Sequence, residues 1–298
     1  MISLRGILAP VVTPFDGRGD VDLDRFASNV RAHVSAGVCG IVVTGSTGEA
    51  ALLDEAERNA LVGRARRELS DGPTLLVGTG AESTRGTIAR SRAAAERGAD
   101  GVLVVAPHYY GEAMTPDALL SHYHQVADAS PVPVLLYTIP KYMHFALPPD
   151  VVAQLATHEN IVGMKDSSGD ATLFARYLES QSESFAVLTG SGVLFGEALR
   201  MGALGGILAV SLFAPELSFD VWRAREAGDN ATAIRLQEML SPLAAKIVGA
   251  MGVAGVKAAM DSIGLTGGAP RSPLRPLAAP ARAMLADLLR AAALSPAA

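Results

Sequence analysis

GVLVVAPHYYGEAMTPDALLSHYHQVADASPVPVLLY, residues 101–137, holds one complete structural repeat of this chain. Gly101–Val105 is short and apolar on both faces, as a strand is when helices cover both sides of its sheet. Thr115 followed by Pro116 marks a helix entry, because a hydroxyl satisfies the first turn and proline pre-sets φ. A helix is therefore expected over about 115–128, and a second apolar run, Val134–Tyr137, follows as the next strand.

The same rhythm recurs on both sides of this stretch. Further strands are expected at Ile7–Val12, Gly40–Val43, Thr74–Val77, Ile161–Lys165, Ala186–Leu188 and Gly206–Val210, which makes eight. Helical patterns lie between them at about 22–36, 54–69, 84–97, 148–157, 171–180, 192–201 and 215–227. Asp54 with Glu57 resembles a capping box. Gly37, Gly98 and Gly202 follow helix ends, where a left-handed residue suits glycine. Eight βα units favour a closed barrel over an open doubly wound sheet, and no GxGxxG follows the first strand. The fold class is α/β, a (β/α)8 TIM barrel over residues 1–228 that carries the active site. The β rhythm stops there, and 229–298 reads as a C-terminal helical extension with helices at about 230–249, 253–263 and 280–291.

The 298 residues suit one barrel of about 250 residues with an appendage, and 49% hydrophobic against 18% charged residues supply a large core. A net charge of −5 gives no basic field for nucleic acid. The single cysteine, Cys39, lies in an apolar run and cannot form an intrachain disulfide, which fits packing and a reducing compartment. Gly6–Val12 is too short for a signal peptide core and runs into Thr13-Pro14. No window approaches the roughly 18 uninterrupted apolar residues of a membrane span. A cytoplasmic protein with a small-molecule site, and no nucleic-acid or membrane partner, is expected. The six histidines offer no metal site: His122 and His124 do not share a helix face, and no HExxH or Cys/His spacing exists.

Barrel chemistry sits at the C-terminal ends of strands. Polar residues interrupt those ends at Gly45-Ser46-Thr47-Gly48-Glu49, His108-Tyr109-Tyr110, Tyr137 and Lys165-Asp166-Ser167-Ser168. Strand alternation places Ile161, Gly163 and Lys165 on one face and Val162 and Met164 on the other. With the bulky pair toward the helices, Lys165 points into the barrel mouth, where burial disfavours its ammonium form and leaves amine free to add to a carbonyl. A snorkelling lysine at a strand end is the alternative. Tyr137 alternates inward with Leu135 and can relay protons there, or be a core aromatic whose hydroxyl finds a backbone partner. The glycines around Ser46 and Thr47 let amides converge on a carboxylate. Phosphate is the rival anion, for which Thr189-Gly190-Ser191-Gly192 could serve.

At these places the chain resembles the N-acetylneuraminate lyase and dihydrodipicolinate synthase superfamily of Schiff-base aldolases. The likeness is carried by PVVTPF at 10–15, GSTGE at 45–49, APHYY at 106–110, LYTIP at 136–140 and GMKDSSG at 163–169. Within it, HENIVGMKDSSGD at 158–170, HYHQVADASPVPVLLY at 122–137 and GVKAAMDSIGLTGGAPRSPL at 255–274 look most like 4-hydroxy-2-oxoglutarate aldolase. The resemblance implies Lys165 as Schiff-base nucleophile and Tyr137 as proton relay, with Ser46 and Thr47 holding a carboxylate and Ser167 and Gly190 lining the pocket. It implies Tyr109 reaching into a neighbouring subunit's site within a homotetramer, a dimer of dimers. It also marks a departure. The synthases carry an arginine after the YxxP element, whereas here Lys141-Tyr142-Met143-His144 follows Pro140, with Tyr142 at the matching place. Lys141, Tyr142 and His144 are thus candidates for specificity toward the substrate's far end, or form an exposed loop.

The expected reaction is retro-aldol cleavage of a 4-hydroxy-2-oxo acid to pyruvate and an aldehyde, or its reverse, with no cofactor beyond the covalent imine on Lys165. A dehydratase or a dihydrodipicolinate synthase-like condensing enzyme is the alternative within the same chemistry. A non-catalytic pyruvate-binding relative is the alternative outside it.

Overall fold

The structure, a computed structural model, describes residues 2–69 and 72–294. Met1, Ser70, Asp71 and the last four residues of the expected extension lie outside them.

Eight parallel strands close in sequence order into a barrel, β1 Gly6–Pro10, β2 Gly40–Val43, β3 Thr74–Gly78, β4 Gly101–Val105, β5 Val134–Thr138, β6 Ile161–Asp166, β7 Ala186–Thr189 and β8 Gly205–Ile207. The fold is a (β/α)8 TIM barrel with helices appended at its C-terminal side. Alternation along the strands sorts the core into two layers. Leu8, Val42, Leu76, Leu103, Leu135 and Leu188 fill the barrel, while Ile7, Ile41, Leu75, Val102, Val134 and Met164 pack outward under the helices. The anticipated punctuation is present. Asp54 and Glu57 form a reciprocal capping box, Thr115 caps a helix with Pro116 in its first turn, and Gly37, Gly98 and Gly202 all have positive φ.

Three details differ from the sequence reading. The ladder between β5 and β6 skips Val162: Val134 pairs with Ile161 but Leu135 with Gly163. This irregularity changes the parity of the strand start, so Ile161 joins the outer core and Val162 packs against the inner one. Gly163 and Lys165 do not share a face with Ile161 as regular alternation would have it. The eighth strand ends at Ile207 rather than Val210, and residues Ala209–Leu212 form a 3-10 turn. Ser211 Oγ donates to the Leu208 carbonyl at 2.7 Å, a local bond that competes with strand continuation.

The helix expected over 230–249 is interrupted. An α-helix, Asn230–Pro242, gives way to π-helical winding over Leu243–Ala250. Pro242 has no N–H and its ring crowds the preceding turn, so the register there must widen or break. The next helices are Gly252–Ser262 and Ala279–Ala291. Among the described residues, no helix is long and apolar enough to cross a membrane.

Candidate active site

The pocket at the C-terminal ends of the strands has a volume of about 210 Å³ and brings together Ser46, Thr47, Tyr137, Lys165, Ser167 and Gly190. The register explains why two of them meet. Tyr137 on β5 is paired with Lys165 on β6, so both side chains leave the sheet on the same face, toward the barrel axis. Lys165 is only 7% exposed and Tyr137 4%. The Lys165 Nζ lies 4.3 Å from the Tyr137 ring centre. Among the described residues no carboxylate pairs with it. Its nitrogen is therefore available to a ligand. Tyr137 Oη lies 3.5 Å from Ser46 Oγ, at the limit of a hydrogen bond, which links the aromatic hydroxyl to the glycine-rich turn after β2.

Gly190, after β7, has a steric reason to be glycine. A Cβ there would overlap Ser167 Oγ and come within 2.7 Å of Lys165 Cε. The space immediately beside the lysine exists because this position has no side chain. Ser191 and Gly192 line the same pocket, so the two glycine-rich turns considered as rival anion sites converge on one cavity, while Thr189 is buried and does not line it.

Charge in the lining is one-sided. Lys165 and Lys141 line the pocket, and neither an aspartate, a glutamate nor an arginine does among the described residues. An anionic small molecule suits such a site. Lys141 stands at the rim, its Nζ donating to the Gly249 carbonyl at 2.8 Å and lying 5.6 Å from the Tyr142 ring centre.

Sequence reasoning placed one candidate less well. His144 does not line the pocket. Residues Pro140–Met143 form a short helical turn, and His144 ends it with φ 64°, so the chain turns away after Tyr142. Lys141 and Tyr142 do line the pocket. Tyr109 is outside this chain's own pocket and 77% exposed, in a T-shaped pair with Tyr110. Its loop is nonetheless fixed, because the Glu82 carboxylate accepts the backbone N–H of both His108 and Tyr109 at 2.9 Å.

Other groups were missed. Ala244, Ala245, Val248 and Gly249 of the π-helical segment, with Val253 and Val256 of the next helix, supply much of the remaining wall. The site is thus not confined to residues 1–228. Only Pro242 hinted at it, since a proline inside a helical pattern announces a break. Asp166, next to the lysine, is completely buried. Burial pushes its carboxyl up to about 6, against hydrogen bonds from Ser168 N–H and Oγ that favour the charged form.

Comparison with known proteins gives one consistent family. The model of the Dihydrodipicolinate synthetase family matches residues 3–292. A 4-hydroxy-tetrahydrodipicolinate synthase of Exiguobacterium sp. is 33% identical over 280 residues, covering 94% of this chain and 95% of that one. An uncharacterised DapA-like lyase of Halobacterium salinarum is 37% identical over 288 residues, 96% of this chain and 94% of that one. The crystal structure of a chloride-inhibited dihydrodipicolinate synthase from Acinetobacter baumannii, complexed with pyruvate, superposes with a TM-score of 0.93 at 31% identity. That match covers 98% of this chain and all of the other.

Proposed function

This chain belongs to the dihydrodipicolinate synthetase family and is a Schiff-base lyase, and we propose that its reaction is the retro-aldol cleavage of a 4-hydroxy-2-oxo acid to pyruvate and an aldehyde, or the reverse condensation. One observation carries the reading: a buried lysine amine lies in the pocket beside a tyrosine and has no carboxylate partner there among the described residues. The related Acinetobacter enzyme holds pyruvate.

In this scheme the Lys165 amine adds to the C2 carbonyl, and the carbinolamine loses its hydroxyl as water, Tyr137 giving its phenolic proton to that leaving group, which leaves an iminium and a tyrosinate. The C3–C4 bond then breaks, its electron pair moving into the iminium to form an enamine, while Tyr137 takes the proton of the 4-hydroxyl. The aldehyde leaves, the enamine is protonated at C3, and water hydrolyses the imine to release pyruvate and the free amine. Ser46 and Thr47 receive the substrate carboxylate, Ser167 and Gly190 shape the space beside C2, and Tyr142 borders the distal substituent. The protonated imine is the electron sink, so the scheme calls for no metal or organic cofactor. Tyr109 would serve the pocket of an adjacent subunit within a homotetramer.

A synthase reading draws support from the name of the Exiguobacterium relative. Against it stands Tyr142 where the synthases have arginine, together with a pocket lining without arginine among the described residues. The test of the mechanism is borohydride reduction in the presence of pyruvate: a reduced pyruvyl adduct on Lys165 is expected in the wild type and none in Lys165→Ala. No adduct in the wild type refutes the mechanism. A screen of 4-hydroxy-2-oxo acids differing in their distal group then separates the activities. An aldolase releases pyruvate, a dehydratase keeps all substrate carbons in one product, and a non-catalytic relative binds pyruvate and turns over nothing.

A further inference from the structure

The turn that carries Ser46 and Thr47 is held by a buried charge pair that the reaction scheme does not use. Residues 45–48 are bracketed by two non-glycine residues in the left-handed region, Thr44 at φ 52° and Glu49 at φ 57°. Side chains with a Cβ stay there only where surrounding contacts over-determine the conformation.

Such contacts are present at both ends. Thr44 Oγ1 donates to the Gly78 carbonyl at 2.9 Å, and Thr13 Oγ1 donates to the Gly48 carbonyl at 2.7 Å. At the far end the Glu49 carboxylate is gripped by the C-terminal extension. Its Oε1 lies 2.5 Å from Lys257 Nζ, with both side chains fully buried. Its Oε2 accepts the backbone N–H of Arg271 at 2.8 Å. Lys257 Nζ also donates to the Ala269 carbonyl at 3.0 Å and lies 4.5 Å from the Phe15 ring centre. Its neighbour in the chain, Val256, lines the pocket itself.

A buried ion pair is a poor way to gain stability, since well-packed apolar side chains of similar size often serve as well or better. What it provides is direction: it holds the carboxylate of Glu49, and with it the last residue of the turn, in one place. We infer that Glu49 and Lys257 are positioning residues, which orient the Ser46–Thr47 turn to receive the carboxylate of a 2-oxo acid and thereby make the C-terminal extension part of substrate binding. The inference rests on the reading that this turn holds that carboxylate.

The test uses the full-length chain with Glu49→Gln and with the charge-neutral pair Glu49→Gln/Lys257→Met, each checked for folding by far-UV circular dichroism and thermal melting. Borohydride trapping is followed as pyruvate concentration is raised. The half-saturating pyruvate concentration is expected to rise about tenfold, as for a binding turn displaced by a fraction of an ångström. The extent of trapping at saturating pyruvate stays within about twofold, because the amine itself is untouched. A merely structural role would lower the plateau without moving the half-saturation point. A folded variant with wild-type half-saturation overturns the inference. So does failure of both variants to fold, since the pair would then hold the whole molecule rather than the turn. A wild-type protein that gives no adduct fails differently, removing the substrate reading and this inference with it.

Discussion

Replacing Asp166 by Asn should make the protein gain stability relative to wild type as pH rises. The carboxyl is completely buried next to Lys165, and burial lifts it from 3.8 to about 6. That rise corresponds to about 3 kcal/mol of preference for the neutral form. The sign follows from linkage. A group that holds its proton more tightly in the folded state contributes stability that is complete below its unfolded value and is lost as pH rises through its folded value. An amide of the same shape keeps an acceptor for the Ser168 N–H, which now bonds Asp166 Oδ1 at 2.9 Å, and never pays for ionisation. The difference in unfolding free energy between Asp166→Asn and wild type, measured by urea denaturation at pH 4, 6 and 8, should therefore move by about 2.5 kcal/mol in favour of the variant. Most of the movement falls between pH 4 and pH 6. Comparing the two proteins at each pH cancels every other titrating group. If the difference is independent of pH, Asp166 titrates alike in both states, and if it moves in favour of wild type as pH rises, Asp166 is a stabilised carboxylate; either result refutes the effect assigned to burial.

Two further outcomes are expected. Gly190→Ala places a methyl group against Ser167 and Lys165, so pyruvate trapping should fall on the order of a hundredfold at a stability cost of about 1–3 kcal/mol; wild-type trapping would show that the space beside the lysine is not needed. His33 is buried with its imidazole pushed down to about 4 by desolvation alone, so the stability it contributes is present above pH 6.5 and is lost as pH falls through 4. His33→Gln should flatten that acid loss in denaturation midpoints taken between pH 7 and pH 4, and an unchanged slope would contradict it.

The barrel was legible because its strands are separated by helices with readable ends, such as the Asp54–Glu57 box and the Thr115-Pro116 entry. The skip at Val162 was not. A strand buried on both faces carries apolar residues at every position, so the pattern of Ile161 to Met164 looks the same with or without a shifted register. Lys165 and Tyr137 were still oriented correctly, since the irregularity lies before them and the last residues of β5 and β6 pair regularly.

The Ser46–Thr47 turn, Lys165 and Tyr137 are local to strand ends and could be read one by one, whereas Gly190 was expected in the pocket only from the family resemblance. The wall from the π-helical segment depends on where the extension docks, and the contact of Glu49 with Arg271 joins residues 222 positions apart. Neither leaves a periodic trace. His144 was grouped with Lys141 and Tyr142 by adjacency, but the helical turn Pro140–Met143 rather than distance along the chain decides which side chains reach the pocket.

The segment Leu243–Ala250 is wound more loosely than the helix that leads into it. Each residue advances the direction of a side chain by about 100° in ordinary α-winding, and a π-turn accommodates one extra residue without moving the flanking axes far. Gain or loss of a single codon in this segment would thus rotate a different set of groups toward Lys165 while β6, and the amine on it, stay where they are. Diversification of what the cavity admits is therefore available to such a chain through helical phase, with Lys165 and Tyr137 left unedited.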